Sequence, residues 1–396
     1  MEKHLILSKV SLTALLLSFC VHFLQAKKGA EEPVFNPINT QVPSLTIAPD
    51  ARGGGMGDVG AATTPDIYSQ HWNPAKYAFA YSRGGLGASY TPWLRKLVHD
   101  MNLAYLAGYF KPGKSDLQAI AASLRYFSMG EIHQTVDGGG LTGIIFNPYD
   151  MAFDIGYSRV LGERFSGGVA MRYIHSDMGI NDDSRKPGNA FAADIAGYYT
   201  DYVMMGRSEC QVGFGFNISN IGTKIDFGEE YSYFIPTNLR LGGSFFFPFD
   251  QYNMLSLNLD LNKLLVPSSP YRKPEMTEEE MEEIKAKYNN TSSIKGIFTS
   301  FADSPNGFKG EMQEIKISVG AEYSYDDKFF VRAGYFHEHQ SQGNRKYATI
   351  GAGFKMSIFQ LDAAYLLSTV PSNPLDQTLR FSLGFDMEGL VELFKR

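Results

Sequence analysis

Cysteine is nearly missing: the 396 residues hold two, Cys20 and Cys210, and the first lies in a segment expected to be removed. A mature chain with one cysteine cannot form an internal disulfide, even in a compartment that would allow one, and no C-x-x-C pair exists. Long apolar runs are missing too. Beyond residues 10–24 no stretch is long enough to cross a bilayer as a helix, so a membrane role requires a closed sheet whose backbone groups bond to one another. Charge is sparse, at 20% of residues, and its sign is acidic, a formal −6. No H-E-x-x-H or G-x-S-x-G pattern occurs, so the strong signatures of zinc hydrolases and serine esterases are missing. The chain is read as non-enzymatic, with no cofactor and no metal.

The amino terminus carries Lys3 and Lys9, an apolar run over 10–24, and Gln25-Ala26 before Lys27. That order of charged, apolar and small residues marks a secretory signal over 1–26, cleaved after Ala26. Cys20 does not make a lipoprotein site, because Phe19 stands where a small residue is needed. Losing Glu2, Lys3 and Lys9 takes 42 acidic and 36 basic residues to 41 and 34, a mature charge of −7 that disfavours nucleic acid as a partner.

Aromatics are plentiful, at 14%, and strand patterning is strong. Leu255, Leu257, Leu259 and Leu261 alternate with Ser256, Asn258, Asp260 and Asn262. Ile317, Val319, Ala321 and Tyr323 alternate with Lys316, Ser318, Gly320 and Glu322, and Leu379, Phe381, Leu383 and Phe385 with Arg380, Ser382, Gly384 and Asp386. Each is a strand with one apolar and one polar face. Large apolar residues on one face and mid-strand charges on the other suit lipid outside and a polar lumen better than a soluble sandwich. The same alternation predicts strands near 85–91, 101–110, 118–128, 150–160, 165–175, 190–200, 211–218, 237–247, 252–261, 313–323, 329–337, 346–356, 358–367 and 378–386. Long connections (129–149, 176–189, 219–236, 262–312) alternate with short ones, and aromatics gather near strand ends at Tyr109-Phe110, Tyr198-Tyr199, 245–247 and Phe329-Phe330. The expected fold is all-β: a transmembrane antiparallel barrel of about 14 strands in the outer membrane, over 85–386, with a tail over 387–396.

Residues 27–50 lack any sustained period and read as a periplasmic amino-terminal extension. The run 51–61 comes next, with Arg52, Gly53, Gly54, Gly55, Gly57, Asp58 and Gly60, and leads to Trp72-Asn73-Pro74-Ala75. Gly55, Gly57 and Gly60 satisfy G-x-G-x-x-G, but no strand precedes them and Pro65 breaks the stretch where a helix would be needed, so no dinucleotide site is expected. Glycines at close approach and positive φ are what a plug inside a barrel needs, so 51–84 is read as a hatch.

The stretch from Pro49 to Ala61, with His71-Trp72-Asn73-Pro74-Ala75-Lys76, resembles the amino-terminal hatch of the FadL-like family of outer-membrane barrels, and within it the members that serve type IX protein secretion. The resemblance is specific in the hatch and diffuse over the barrel. It implies fourteen strands, hatch residues Arg52, Gly53, Gly54, Gly55, Gly57, Asp58, Gly60, Asn73 and Pro74, and contact with outer-membrane lipid. It further implies a component that receives secreted cargo by its C-terminal signal domain and passes it from the translocon to the cell-surface sortase and attachment complex. The other role it implies is import of fatty acids or other hydrophobic molecules. A third, lipid A deacylation, has no catalytic motif behind it.

The longest loop holds one marked element. Thr277 and Glu280 form a capping box, with Met276 and Met281 as a hydrophobic staple, and predict a helix over 278–288. Its Met281, Ile284 and Tyr288 share a face that packs on its own loop or meets a partner protein. His337-Glu338-His339 puts two imidazoles on one side of an extended chain, an arrangement able to bind a metal ion, but reads as a plain polar loop; Asp182-Asp183 lacks the regular spacing of calcium ligands and reads as solvated.

Overall fold

The computed structural model describes residues 35–387, apart from 96–97, 99, 114–115, 136–140, 180–185, 273–275 and 371–374. The signal segment, most of the tail and Asp182-Asp183 lie outside the described residues.

Fourteen strands close into one antiparallel ring. They are β1 (Gly84–Pro92), β2 (Asn102–Phe110), β3 (Gln118–Ser128), β6 (Tyr149–Gly162), β7 (Phe165–Asp177), β8 (Gly188–Met205), β9 (Ser208–Gly222), β10 (Asn238–Pro248), β11 (Asn253–Leu264), β12 (Lys316–Tyr325), β13 (Phe329–His337), β14 (Lys346–Lys355), β15 (Phe359–Ser368) and β16 (Leu379–Asp386). Each expected strand falls on one of them. Pairing of β1 with β16, in register Gly85 to Asp386 through Tyr90 to Phe381, removes the last free edge.

The burial pattern inverts that of a soluble protein. On β11 the exposed side chains are Leu257 (48%) and Leu259 (45%), while Ser256, Asn258 and Asp260 are buried. On β12, Val319 and Tyr323 are exposed and Ser318 and Glu322 buried; on β16, Phe381 and Leu383 are exposed and Arg380 and Ser382 buried. An apolar exterior over a polar interior is stable only where the surrounding solvent is hydrocarbon. Several expected aromatic pairs split between the faces. Phe110 and Phe329 point outward, whereas Tyr109, Tyr198 and Phe246 point inward, because neighbours along a strand face opposite sides.

The connections sort by end. Those at one end are brief: 163–164, 206–207, 249–252, 326–328, 356–358, and 111–117. All the others, including 223–237 and 265–315, leave from the opposite end. Two features were not expected from sequence. Within the long connection expected over 129–149, β4 (Ile132–Thr135) pairs antiparallel with β5 (Leu141–Phe146). All four β4 residues are exposed, so no buried face imposed the two-residue alternation by which strands are recognised. β8 and β9 also run longer than expected, past residues 200 and 218.

Candidate functional site

The segment between residue 36 and β1 packs against the inward faces of the strands. It opens with a short 3-10 turn at Pro43–Thr46, then α1 (Ala51–Gly55), α2 (Ser69–Trp72) and a 3-10 helix at Pro74–Phe79. α1 exists because Asp50 caps it, its carboxylate accepting from the Gly53 amide at 2.8 Å and from Trp72 Nε1 at 2.6 Å. α1 touches β13, β14, β15 and β16, and the 3-10 helix at 74–79 touches β3, β6, β7 and β8, so the segment engages both sides of the ring.

The sequence-derived residues of this stretch come together here. Arg52 donates to Glu322 at 2.9 and 3.1 Å, to Asp66 at 2.9 Å and to the Thr64 carbonyl at 3.1 Å. Glu322 also accepts from Arg332 at 2.6 Å, and Arg332 reaches Asp362 at 2.6 Å, making a chain of buried charges between segment and wall. Asp58 accepts from Arg380 at 2.7 Å and from the Tyr347 hydroxyl at 2.6 Å. The Gly60 amide donates to Asp260 at 2.8 Å. Asn73 donates to the Ala61 and Gly197 carbonyls at 2.9 and 3.0 Å, and Pro74 starts the 3-10 helix. Gly53 faces the Trp72 ring and Gly54 faces Arg380. Gly57 requires glycine: its φ is +73°, and a Cβ there would stand 2.6 Å from the Tyr335 amide nitrogen. Gly55 meets the Gly351 Cα, where a Cβ would lie 3.2 Å away.

Sequence reasoning missed the wall's half of this arrangement: Glu322, Arg332, Asp362, Asp260 and Arg380. The available signal was their charge in mid-strand, opposite an apolar face. Residues 36–41, part of the stretch read as an amino-terminal extension over 27–50, bond to connections at the end that bears the long ones. The Asn36 amide donates to the Ser341 carbonyl, the Gln41 amide to the Phe234 carbonyl, and the Asn39 amide to the Ser269 hydroxyl.

The loop 265–315 carries α3 (Glu278–Asn290), α4 (Ser293–Thr299) and α5 (Gly307–Gln313). The capping box is formed, the Thr277 hydroxyl accepting from the Glu280 amide at 3.2 Å and the Glu280 carboxylate from the Thr277 amide at 2.9 Å. Tyr288 stacks edge-on against Phe234 at 5.3 Å, and Lys224 donates to the Asn289 carbonyl at 2.8 Å, so α3 leans on the loop 223–237. Met281, Ile284 and Tyr288 are half-buried, apart from the lumenal residues. The exposed apolar side chains lie further on, at Ile294, Phe298 (74%), Phe301, Phe308 (82%) and Met312. Lys263 anchors this part of the loop, donating to Glu311 at 2.8 Å and to Glu314 at 2.5 Å. Burial pushes the Glu314 pKa up, against the pull of Lys263. Glu338 is engaged by Arg345 at 2.7 Å and Lys316 at 3.5 Å, and among the described residues no group of three or more acidic, His or Cys side chains is arranged to hold a metal.

A closed ring of fourteen strands, apolar outside and ion-paired inside, defines an outer-membrane β-barrel. The fold is shared with the toluene transporter TodX of P. putida (8% identity, TM-score 0.50, covering 86% of this chain and 98% of that one) and with a TodX deltaS2S3 mutant described as a monoaromatic hydrocarbon channel (10%, 0.51, 85% and 98%). No curated protein matches the chain. The family model described as "Type IX secretion system protein PorV" matches residues 30–271. The chain belongs to the PorV family: it is an outer-membrane component of the type IX secretion system, and works with that system and its cargo.

Proposed function

We propose that the protein receives secreted cargo by its C-terminal signal domain at the end bearing the long connections, which faces the cell exterior, and passes it from the translocon to the sortase and attachment complex. Membership of the PorV family carries this reading. Short turns inside and long loops outside are the rule for such barrels, which supports the orientation. Residues 51–84, with Arg52, Gly53, Gly54, Gly55, Gly57, Asp58, Gly60, Asn73 and Pro74, act as a hatch that keeps the lumen closed, so cargo is handled on the barrel rather than through it. The protein performs no catalysis of its own.

Import of hydrophobic molecules is less well supported. The likeness to toluene channels concerns the fold, and the inward faces carry Arg125, Asp154, Arg172, Asp194, Arg240 and Asp260, a poor lining for an alkyl or aromatic solute. The partner surface proposed is α3 to α5, which carry the half-buried Met281, Ile284 and Tyr288 and the exposed Ile294, Phe298 and Phe308. Exposed aromatics of this kind mark protein contacts rather than a packed loop. The test is a strain lacking the protein, complemented with Phe298→Ser/Phe308→Ser at equal membrane level. Cargo in the medium and partner recovery should both fall, and unchanged secretion with unchanged partners would overturn the assignment.

A further inference from the structure

Beneath the long-connection end lies a cavity of about 60 Å³, whose wall includes His71, Trp72, Asn238, Arg240, Lys316 and Asp58. Two of these side chains present buried donors with nothing to donate to among the described residues. Arg240 uses Nε for Asn262 Oδ1 at 2.8 Å and lays its guanidinium over the Trp72 ring at 4.6 Å, but its Nη1 has no partner among the described residues. His71 receives Arg125 Nη2 at 2.9 Å on Nδ1. A guanidinium only donates, so Nδ1 is the acceptor and the ring proton sits on Nε2. That Nε2 is also buried without a partner among the described residues. The His71 and Trp72 rings meet edge to face at 4.8 Å, so the two orphaned donors flank one indole.

Buried donors without acceptors are rare, and one that is charged calls for an anion rather than water. Arg172, Arg332 and Arg380 each hold a carboxylate; Arg240 holds none among the described residues. Asp260, whose field reaches it, is occupied by the Gly60 and Ala61 amides. Across the cavity, Lys316 and Arg345 share the single carboxylate of Glu338, which adds to the positive surplus. Asp58, spent on Arg380 and Tyr347, puts one negative charge on the wall and so disfavours a dianion. The volume corresponds to about four to six waters on the scale where one needs ~10–15 Å³, too little for an alkyl chain.

We propose that this cavity binds the carboxylate group of a compact monoanion, which accepts hydrogen bonds from Arg240 Nη1 and His71 Nε2. The carboxylate belongs either to a small free acid or to the C-terminus of a chain entering from the long-connection end. The site stands on the lumenal geometry and does not depend on the cargo reading above.

The test is calorimetric titration of the full mature protein in non-ionic detergent with sodium acetate, against sodium chloride and phosphate at equal ionic strength. The same titration is made with N-acetyl-trialanine as the free acid and as the amide. Acetate should bind where chloride and phosphate do not, and Arg240→Gln should weaken it at least tenfold. Absence of acetate-specific binding to the wild type overturns the proposal, even if Arg240→Gln fails to fold. Equal acetate affinity in wild type and a folded Arg240→Gln overturns it as well. Binding of the free-acid peptide but not its amide identifies a chain terminus as the source, and binding of acetate alone identifies a small solute.

Discussion

Gly57→Ala offers the sharpest probe of how closely the lumenal segment is fitted to the wall, because the structure supplies its own control. Gly57 has φ +73° and Gly206, in the turn 206–207, has φ +67°. Either alanine would pay for a left-handed conformation, about 1–2 kcal/mol. Only one meets an obstacle. A Cβ at 206 has nothing within 4 Å among the described residues, whereas at 57 it stands 2.6 Å from the Tyr335 nitrogen and 2.8 Å from its carbonyl oxygen. Tyr335 lies in β13, paired on one side to Val319 and on the other to Ala348, so its backbone has little freedom to move aside. Forcing a methyl into such a contact costs a further ~1–3 kcal/mol. Gly206→Ala should therefore lose about 1–2 kcal/mol and Gly57→Ala about 2–5 kcal/mol. Urea titration in detergent, monitored through the emission of the buried Trp72 and Trp93, measures both. Losses equal to within ~0.5 kcal/mol would refute the close fit of segment to wall.

Arg52→Met leaves Asp66 unpaired and Glu322 with Arg332 alone, so it should cost about 3–5 kcal/mol in the same titration; a loss below ~1 kcal/mol would mean that the ion pairs are incidental. Asn39→Cys, at an exposed position of the long-connection end, should react on intact cells with a membrane-impermeant maleimide, while Gln251→Cys, on a short turn, should react only after permeabilisation; the reverse pattern would invert the proposed orientation. For the loop carboxylate Glu338, burial raises the pKa but Arg345 and Lys316 outweigh it, and the net shift is downward from 4.5. A depressed carboxylate stabilises above its unfolded pKa and loses that contribution as pH falls through the folded value. Proteolysis of the loop 338–345 should thus be flat from pH 7 to about 5 and rise below the ordinary carboxylate range; an increase between pH 6 and 7 would contradict the pairing.

All fourteen barrel strands were legible because each alternates an apolar face toward lipid with a polar face toward the lumen, a signal local to about ten residues. Thr277 and Glu280 were legible for the same reason, since a capping box spans four positions. The β4–β5 pair was not, having no buried face to impose a period. The lumenal site was half legible. Its glycines and Asn73 stand in one short run, but Glu322, Asp362 and Arg380 are recognisable beforehand only as charges in odd places. Which charge meets which depends on ring closure, and no local pattern encodes that. The same holds for residues 36–41, read from composition as part of a periplasmic extension: the connections they bond to are remote in sequence, and no local pattern names them.

The segment from Asn36 to β1 runs the height of the barrel from the inside, and this constrains the order in which the molecule can be built. The Ala51 amide bonds the Ser382 hydroxyl at 2.8 Å across 331 positions, and Asp58 meets Arg380 across 322. Contacts so remote in sequence form late. Ser382 lies on β16, and its hydroxyl also bonds the Ser89 hydroxyl of β1 at 2.9 Å, so one side chain joins the seam of the ring to the thread within it. A nascent barrel short of β16 has neither a closed wall nor a complete seat for α1. The seat for α1 is complete only once β16 has joined the ring, so the thread cannot take its final place in an open sheet.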